Sequence, residues 1–308
     1  MEDKPTILIA FGGNALIQKG QVGTHKEQFK NLKLPMRQVA RLSKNYKFVI
    51  THGNGPQVGN LLLQQESCDE VPKMPLEIIG AMTQGQIGYM LESSLDDAFM
   101  ELGDHQQLLA TLITYVVVDE NDSGFKNPTK PIGPFYTDKQ AEKLTYTMAK
   151  TDKGMRRVVA SPKPVTIVER REIKKLIDMD FIVICCGGGG IPVIRKNRQF
   201  RGVEAVIDKD LASSILAREI KADIFVIASD IKGAGINWGQ PDQQILGKTP
   251  LADMEKYVQE GQFPAGSMGP KIEAMIKFFK ATGNRGVICH LEDIENAIAG
   301  KVGTEIVK

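Results

Sequence analysis

In the stretch "AVIDKDLASSILA", residues 205–217, Leu211, Ile215 and Leu216 recur at helical spacing, and Asp208, Lys209 and Asp210 stand at the mouth of that helix. An aspartate there caps free amide protons and suits the positive end of the helix dipole. Lys209 has no such reason, because a lysine in the first turn sits at the wrong end of that dipole. Two further lysines stand beside residues that fix the backbone: Lys130 in "NPTKPIGPFY", and Lys271 in "FPAGSMGPKIEA", just inside a helix start marked by Pro270. One surface lysine is ordinary. Lysines fixed by flanking proline or glycine suggest placement, and lysine suits phosphate as a compact point charge. Phosphoryl transfer needs little covalent help from a protein. It needs positioning and positive charge on the transferring oxygens, with Asp210 holding the lysine heads apart.

Glycine-rich segments follow three predicted strands: "FGGNA" after 6–11, "THGNG" after 48–51 and "CCGGGGIP" after 181–186. Any one of them reads as a turn. Three at one sheet edge, close to helix starts, offer backbone N–H groups to an anion, and Asn14 and Asn54 add side-chain donors. No stretch fits G-x-x-x-x-G-K-[ST], so this is no P-loop. "GNGPQVG" and "GAGINWG" are one residue too long for the dinucleotide fingerprint, and there is no G-x-S-x-G elbow. Cys68, Cys185, Cys186 and Cys289 lack metal-ligand spacing, the adjacent pair falling in a predicted buried strand. With four scattered histidines, no metal site is expected, and a reducing, cytoplasmic home is.

The elements that must position these residues alternate along the chain. Strands are predicted at 6–11, 48–51, 108–118, 164–168, 181–186, 223–229, 286–290 and 304–307. Helices are predicted at 28–44, from "HGNGPQVG" to 65, and at 76–102, 170–179, 209–220, 250–260, 270–282 and 291–299. The strands are near-continuous apolar runs, so the fold class is α/β: a mainly parallel sheet between helix layers, binding ligands at the carboxyl ends of its strands. The proline-rich region 119–164 breaks the rhythm and reads as an insertion forming a small lobe or lid.

Composition excludes several alternatives. The chain has 308 residues, 42% hydrophobic and 25% charged, and can bury about three quarters of its unfolded surface. A net charge of +2 gives no reason to expect nucleic acid or a membrane as partner, and 6% aromatics argue against a single-strand stacking platform. The start "MEDKPTILIAFGGNAL" lacks the pattern of a secretory signal, and no segment approaches ~20 uninterrupted apolar residues.

Taken in order, "LIAFGGNAL", "THGNGPQVG", "NPTKPIGPFY", "RRVVASPKP", "GGGGIPV", "GVEAVIDKDLAS" and "FPAGSMGPKIEA" strongly resemble the carbamate kinases of the amino acid kinase superfamily, from about Thr6 to Ala274. The resemblance implies a single domain over 1–308, an open αβα sandwich around about eight strands, usually a homodimer. Its carbamoyl-phosphate half would be about 1–208, with a lid at about 119–164, and its nucleotide half about 209–308. The implied reaction is reversible transfer of phosphate from carbamoyl phosphate to ADP, giving ATP and carbamate, with Mg2+ accompanying the nucleotide, as in ATP production from arginine breakdown. By match, Gly12, Gly13, Asn14, Gly53, Asn54 and Gly55 would bind the phosphate and carbamoyl group, and Lys130 would reach it from the lid. Lys209 and Lys271 would stabilise the phosphoryl oxygens, oriented by Asp210. Ser229, Asp230, Asn237, Ala265, Gly266, Ser267 and Met268 would serve the nucleotide. Arg156 and Arg157 would either bind the substrate or brace the lid, bracing being the favoured reading.

One segment departs from the pattern. Where these kinases read like "LTDVDAVYIN", the chain reads "IASDIKGAGIN" at 227–237, with Gly235 in the aromatic position. Either the nucleotide pocket loses a wall or Trp238 supplies it. The competing expectations are a related kinase for another small acid, and a catalytically weak binding or regulatory member.

Overall fold

Every residue of TILIAF, β1 (Thr6–Phe11), is buried, which requires cover on both faces. Ile7, Ile9 and Phe11 enter one apolar cluster, and Leu8 and Ala10 the other. The computed structural model describes residues 4–264 and 266–308, without the side chain of Asn14, so Ala265 and that side chain lie outside the described residues. The main sheet adds β2 (Lys47–His52), β3 (Leu108–Thr111), β4 (Phe181–Ile184), β5 (Ile224–Ser229), β6 (Lys248–Pro250), β7 (Arg285–His290) and β8 (Thr304–Val307). Its order is β6-β8-β7-β5-β1-β2-β4-β3. Among the described residues, all neighbouring pairs are parallel except β7 with β8.

The principal helices are α1 (His25–Leu42), α2 (Gly55–Glu66), α3 (Leu76–Glu101), α4 (Arg170–Asp178), α5 (Lys209–Glu219), α6 (Leu251–Gln259), α7 (Met268–Thr282) and α8 (Ile294–Ile298). α1, α3 and α8 cover one face of the sheet, and α4, α5, α6 and α7 the other, so the fold is the expected three-layer α/β sandwich. Thr24 and Glu27 form a capping box that fixes the start of α1. Phe225 of β5 meets Phe278 of α7 edge to face with centroids 5.5 Å apart, worth about 0.5–1.5 kcal/mol beyond burial. None of the described helices is long and apolar enough to cross a membrane.

The run 108–118, read as one strand, is two. Gln84 of α3 accepts the Thr114 N–H at 2.8 Å and so takes it out of the main-sheet ladder, while the Thr114 carbonyl, 3.3 Å from the Gln84 amide, accepts the Ile191 N–H at 2.9 Å and opens a different ladder. Beyond this break Tyr115–Val118 joins a second sheet, in the order 199–202, 191–196, 115–118 and 164–167. The predicted strand 181–186 likewise ends at Ile184. Cys185 and Cys186 are buried beyond it, and Cys186 is left-handed with φ 49°. The last predicted helix, 291–299, opens with a 3-10 turn at Leu291–Asp293 before α8. Within 119–164 lie the short helices Ser123–Lys126 and Asp138–Ala141 and a separate three-stranded sheet of Lys130–Tyr136, Met148–Thr151 and Gly154–Val159.

Candidate active site

The three glycine-rich segments leave β1, β2 and β4, which lie side by side and parallel, so all three turn at the same carboxyl edge of the sheet. The Gly12 N–H donates to the Ala228 carbonyl at 2.8 Å and the Gly53 N–H to the Phe11 carbonyl at 3.1 Å. Those two amides therefore extend the sheet, and beyond them come Gly13 and the first turn of α2, which opens with Gly55 and carries the free N–H groups of a helix start. Gly53 is needed for close approach. A Cβ there would lie 3.1 Å from Gly13 N and 3.4 Å from Lys209 Cδ.

α5 and α7 each bring one lysine to the same edge. Asp208 is the N-cap of α5, accepting the N–H groups of Asp210 and Leu211 at 3.0 and 3.4 Å. Thr51 Oγ1 meets Ser213 Oγ at 2.7 Å, Ser213 donates to the Lys209 carbonyl at 2.6 Å, and Ser214 donates to the Ala274 carbonyl at 2.8 Å. These buried hydroxyls fasten the start of α5 to the end of β2 and to α7. Lys209 Nζ then contacts one oxygen of Asp210, and Lys271 Nζ lies 3.0 Å from the other. The Asp210 side chain is 4% exposed, and those of Lys209 and Lys271 are 13% and 15% exposed. Burial alone would raise the Asp210 carboxyl, but the two lysine charges outweigh it and hold the group below the usual range. Burial pushes the Lys209 ammonium down, assisted by Lys271 and opposed by Asp210. Lys130, at the start of its strand, reaches the same locus, its Nζ 3.3 Å from Asp208 Oδ2.

A cavity of ≈ 360 Å³ opens from Gly12, Gly13, Lys209 and Lys271 toward Ser229, Asp230, Ser267, Met268 and Trp238. A Cβ on Gly235 would sit 2.9 Å from Trp238 Cε3, so the glycine is what lets the indole lie against the backbone. Trp238 is nevertheless 60% exposed, presenting an open aromatic wall. Gln262 holds its loop, accepting the Asn237 N–H at 2.8 Å and donating to Asn237 Oδ1 at 3.1 Å. Gln262 was not legible from the sequence, since nothing in its neighbours marks it.

Other expected residues sit differently. The Asn237 side chain also donates to Asp242 at 2.7 Å, and neither it nor Gly266 lines this cavity. Asn54 donates to Thr83 Oγ1 at 2.9 Å, toward α3. Arg156 donates to the Gly133 carbonyl at 3.1 Å and lies over the Phe135 ring, while Arg157 pairs with Glu204 and covers the Tyr146 ring. No group of three His, Cys, Asp or Glu side chains able to hold a metal is gathered among the described residues.

His52, at the end of β2, is fully buried, and its Nδ1 lies 3.1 Å from the Gly53 carbonyl. A carbonyl only accepts, so the neutral ring carries its proton on Nδ1. Burial pushes its pKa down to about 4, against the Gly53 hydrogen bond and with the Lys209 charge. The unfolded histidine takes up its proton near 6.5 and the folded one only near 4, so stability falls as the pH is lowered through that window. Urea unfolding should show about 3 kcal/mol lost through this group between pH 7 and pH 4. His52→Gln should lack that component, and identical pH profiles for the two proteins would exclude it.

The sandwich and its lysine-lined strand edge define the amino acid kinase family, whose model matches residues 5–290. The carbamate kinase of Thermococcus kodakarensis is 47% identical over 312 residues, covering 98% of this chain and 99% of its own. That of Haemophilus influenzae is 45% identical, covering 98% of this chain and 96% of its own. The carbamate kinase of Giardia lamblia bound to AMP-PNP superposes with a TM-score of 0.94 at 41% identity over the full length of both chains. The chain belongs to the carbamate kinases of this family, and is a phosphotransferase.

Proposed function

We propose that the protein transfers the phosphoryl group of carbamoyl phosphate to ADP, reversibly, giving ATP and carbamate. The observation that carries this reading is the pair of buried lysines, Lys209 and Lys271, bridged by Asp210 at the junction of the nucleotide-sized cavity and the glycine-rich strand ends. A terminal phosphate oxygen of ADP attacks phosphorus, the bond to the carbamate oxygen breaks, and negative charge spreads over the three oxygens in between. Lys209 and Lys271 face that charge already fixed in place, so no reorganisation is needed at the moment of transfer. Lys130 approaches from the insertion, which acts as a lid and excludes water from a hydrolysable mixed anhydride. Carbamoyl phosphate lies against residues of about 1–208, at Gly13 and the first turn of α2, and the nucleotide against about 209–308. Magnesium enters with the nucleotide as part of that substrate. Asp210 is an unsuitable resident ligand for it, because both carboxylate oxygens already face ammonium groups. ATP formation from ADP, magnesium and carbamoyl phosphate tests the reading, and its absence with folded protein would overturn it.

Trp238 takes the part of the aromatic missing at 235 and stacks on the base. Trp238→Ala should weaken ADP binding roughly 5- to 100-fold, the range of base–aromatic stacking, with a smaller effect on kcat. An unchanged ADP affinity by calorimetry would remove Trp238 from the site.

Two copies associate through α3, whose outer stripe of Ile78, Met82 and Tyr89 is exposed at 43%, 47% and 66%. The solution mass tests this.

A further inference from the structure

The strand Lys130–Tyr136 and helix α2 run side by side away from the active site. α2 starts at Gly55 beside the phosphate-binding edge, and the strand starts at Lys130, whose ammonium reaches Asp208. Between the ends, Ile132 packs with Val58 and Leu62, all buried, and Gly133 lies against Gly59 closely enough that a Cβ on the latter would be 3.9 Å from Gly133 Cα. At the far end Tyr136 Oη donates to both oxygens of Glu66, the last residue of α2, at 2.7 and 2.8 Å. Burial and then Glu66 push the phenol upward, so it remains a donor throughout the working pH range.

We propose that Tyr136 and Glu66 are positioning residues that fix the register of the lid strand on α2 and thereby set where the Lys130 ammonium stands over the transferring group. The apolar contacts between strand and helix are non-directional and permit sliding. Gly133 is left-handed, with φ +70°, and the pairing of the strand with Gly154–Val159 shifts between Ile132 and Phe135, so the strand is not straight. Of the contacts between strand and α2 described above, the charge-assisted hydrogen bond to Glu66 is the directional one, and it lies six residues from the lysine it governs. A rigid link at that distance matters because a displacement on the order of 1 Å at the reacting group can cost a hundredfold in rate.

This rests on the proposed role of Lys130, and the test separates the two. Tyr136→Phe should lower kcat/KM for carbamoyl phosphate about tenfold, as expected for loss of a hydrogen bond to a charged group. ADP affinity, followed by the emission of Trp238, the single tryptophan, should be unchanged. Glu66→Leu should reproduce the loss, and Glu66→Gln, whose amide oxygen still accepts the phenol, should recover most of it. In a Lys130→Ala background, Tyr136→Phe should change the rate less than about twofold, because the two act through one group. An equal loss in both backgrounds, a parallel loss of ADP affinity, or no effect of Tyr136→Phe with wild-type Lys130 would make the contact a structural tie and overturn the proposal. Should Lys130→Ala retain the full rate, the role of Lys130 itself falls, and the positioning role with it.

Discussion

Lys209→Ala should form ATP from carbamoyl phosphate and ADP about 10²- to 10³-fold more slowly than the wild type, the cost of removing one preorganised donor from a transition state. The effect is large because the side chain is only 13% exposed, and charge acts more strongly where water is scarce. The loss belongs mainly in kcat, since the charge that Lys209 faces grows as the phosphoryl group leaves. The fold should survive, because Asp210 keeps Lys271 as its partner and α5 keeps the Asp208 cap. Lys209→Arg should not restore the rate. The guanidinium is a broad planar fork, and the Lys209 stem already passes within 3.4 Å of where a Cβ on Gly53 would stand. Steady-state kinetics with a urea unfolding control measures both quantities. A variant keeping more than about a tenth of the rate would remove Lys209 from the transition state.

Asp210→Ala should abolish activity and also destabilise the protein by about 3–5 kcal/mol, the cost of leaving buried charge uncompensated. Here the stranded charges are two ammonium groups of one sign, both mostly buried. Asp210→Asn preserves the shape and removes the charge, so it isolates the electrostatic part. Asp210 is what resists the downward push of burial on the Lys209 ammonium. Without it Lys209 loses its proton at lower pH, and the alkaline fall in activity should move toward neutrality. Urea titrations and pH–rate profiles of both variants give the answer. An asparagine variant as stable as wild type, with an unmoved alkaline limb, would show that the carboxylate charge does not hold the lysines.

The sheet was legible in the sequence where burial on both faces leaves no other reading, as in TILIAF and in 223–229. The convergence of the three glycine-rich turns followed from one rule about strand ends, and Asp208 could be assigned as a cap from its type and position. Breaks made by distant side chains were not legible. Gln84 interrupts the run at Thr114 from a helix thirty residues away, and a local pattern carries no trace of it. The sheet inside 119–164 was hidden for another reason: its strands are mixed in polarity, and Lys130–Tyr136 carries two prolines. Within the site, Lys130 and Lys271 were visible because proline or glycine stands beside them, and Lys209 because a lysine between two aspartates opens a helix at the wrong end of its dipole. The hold of Gln262 on the Trp238 loop, and of Glu66 on Tyr136, joins positions 25 and 70 residues apart and needed coordinates.

The outermost strands of the main sheet are short. Leu108–Thr111 has four residues and stops short of Thr114, whose N–H Gln84 takes, while Lys248–Pro250 has three and ends in a proline. An exposed sheet margin invites another chain to add a strand, and short, lysine- and proline-bearing margins discourage it. A second copy thus finds only short templates for continuous β-pairing, and the association proposed above falls to the helical face of α3, where a two-fold contact would close on itself instead of propagating into fibres.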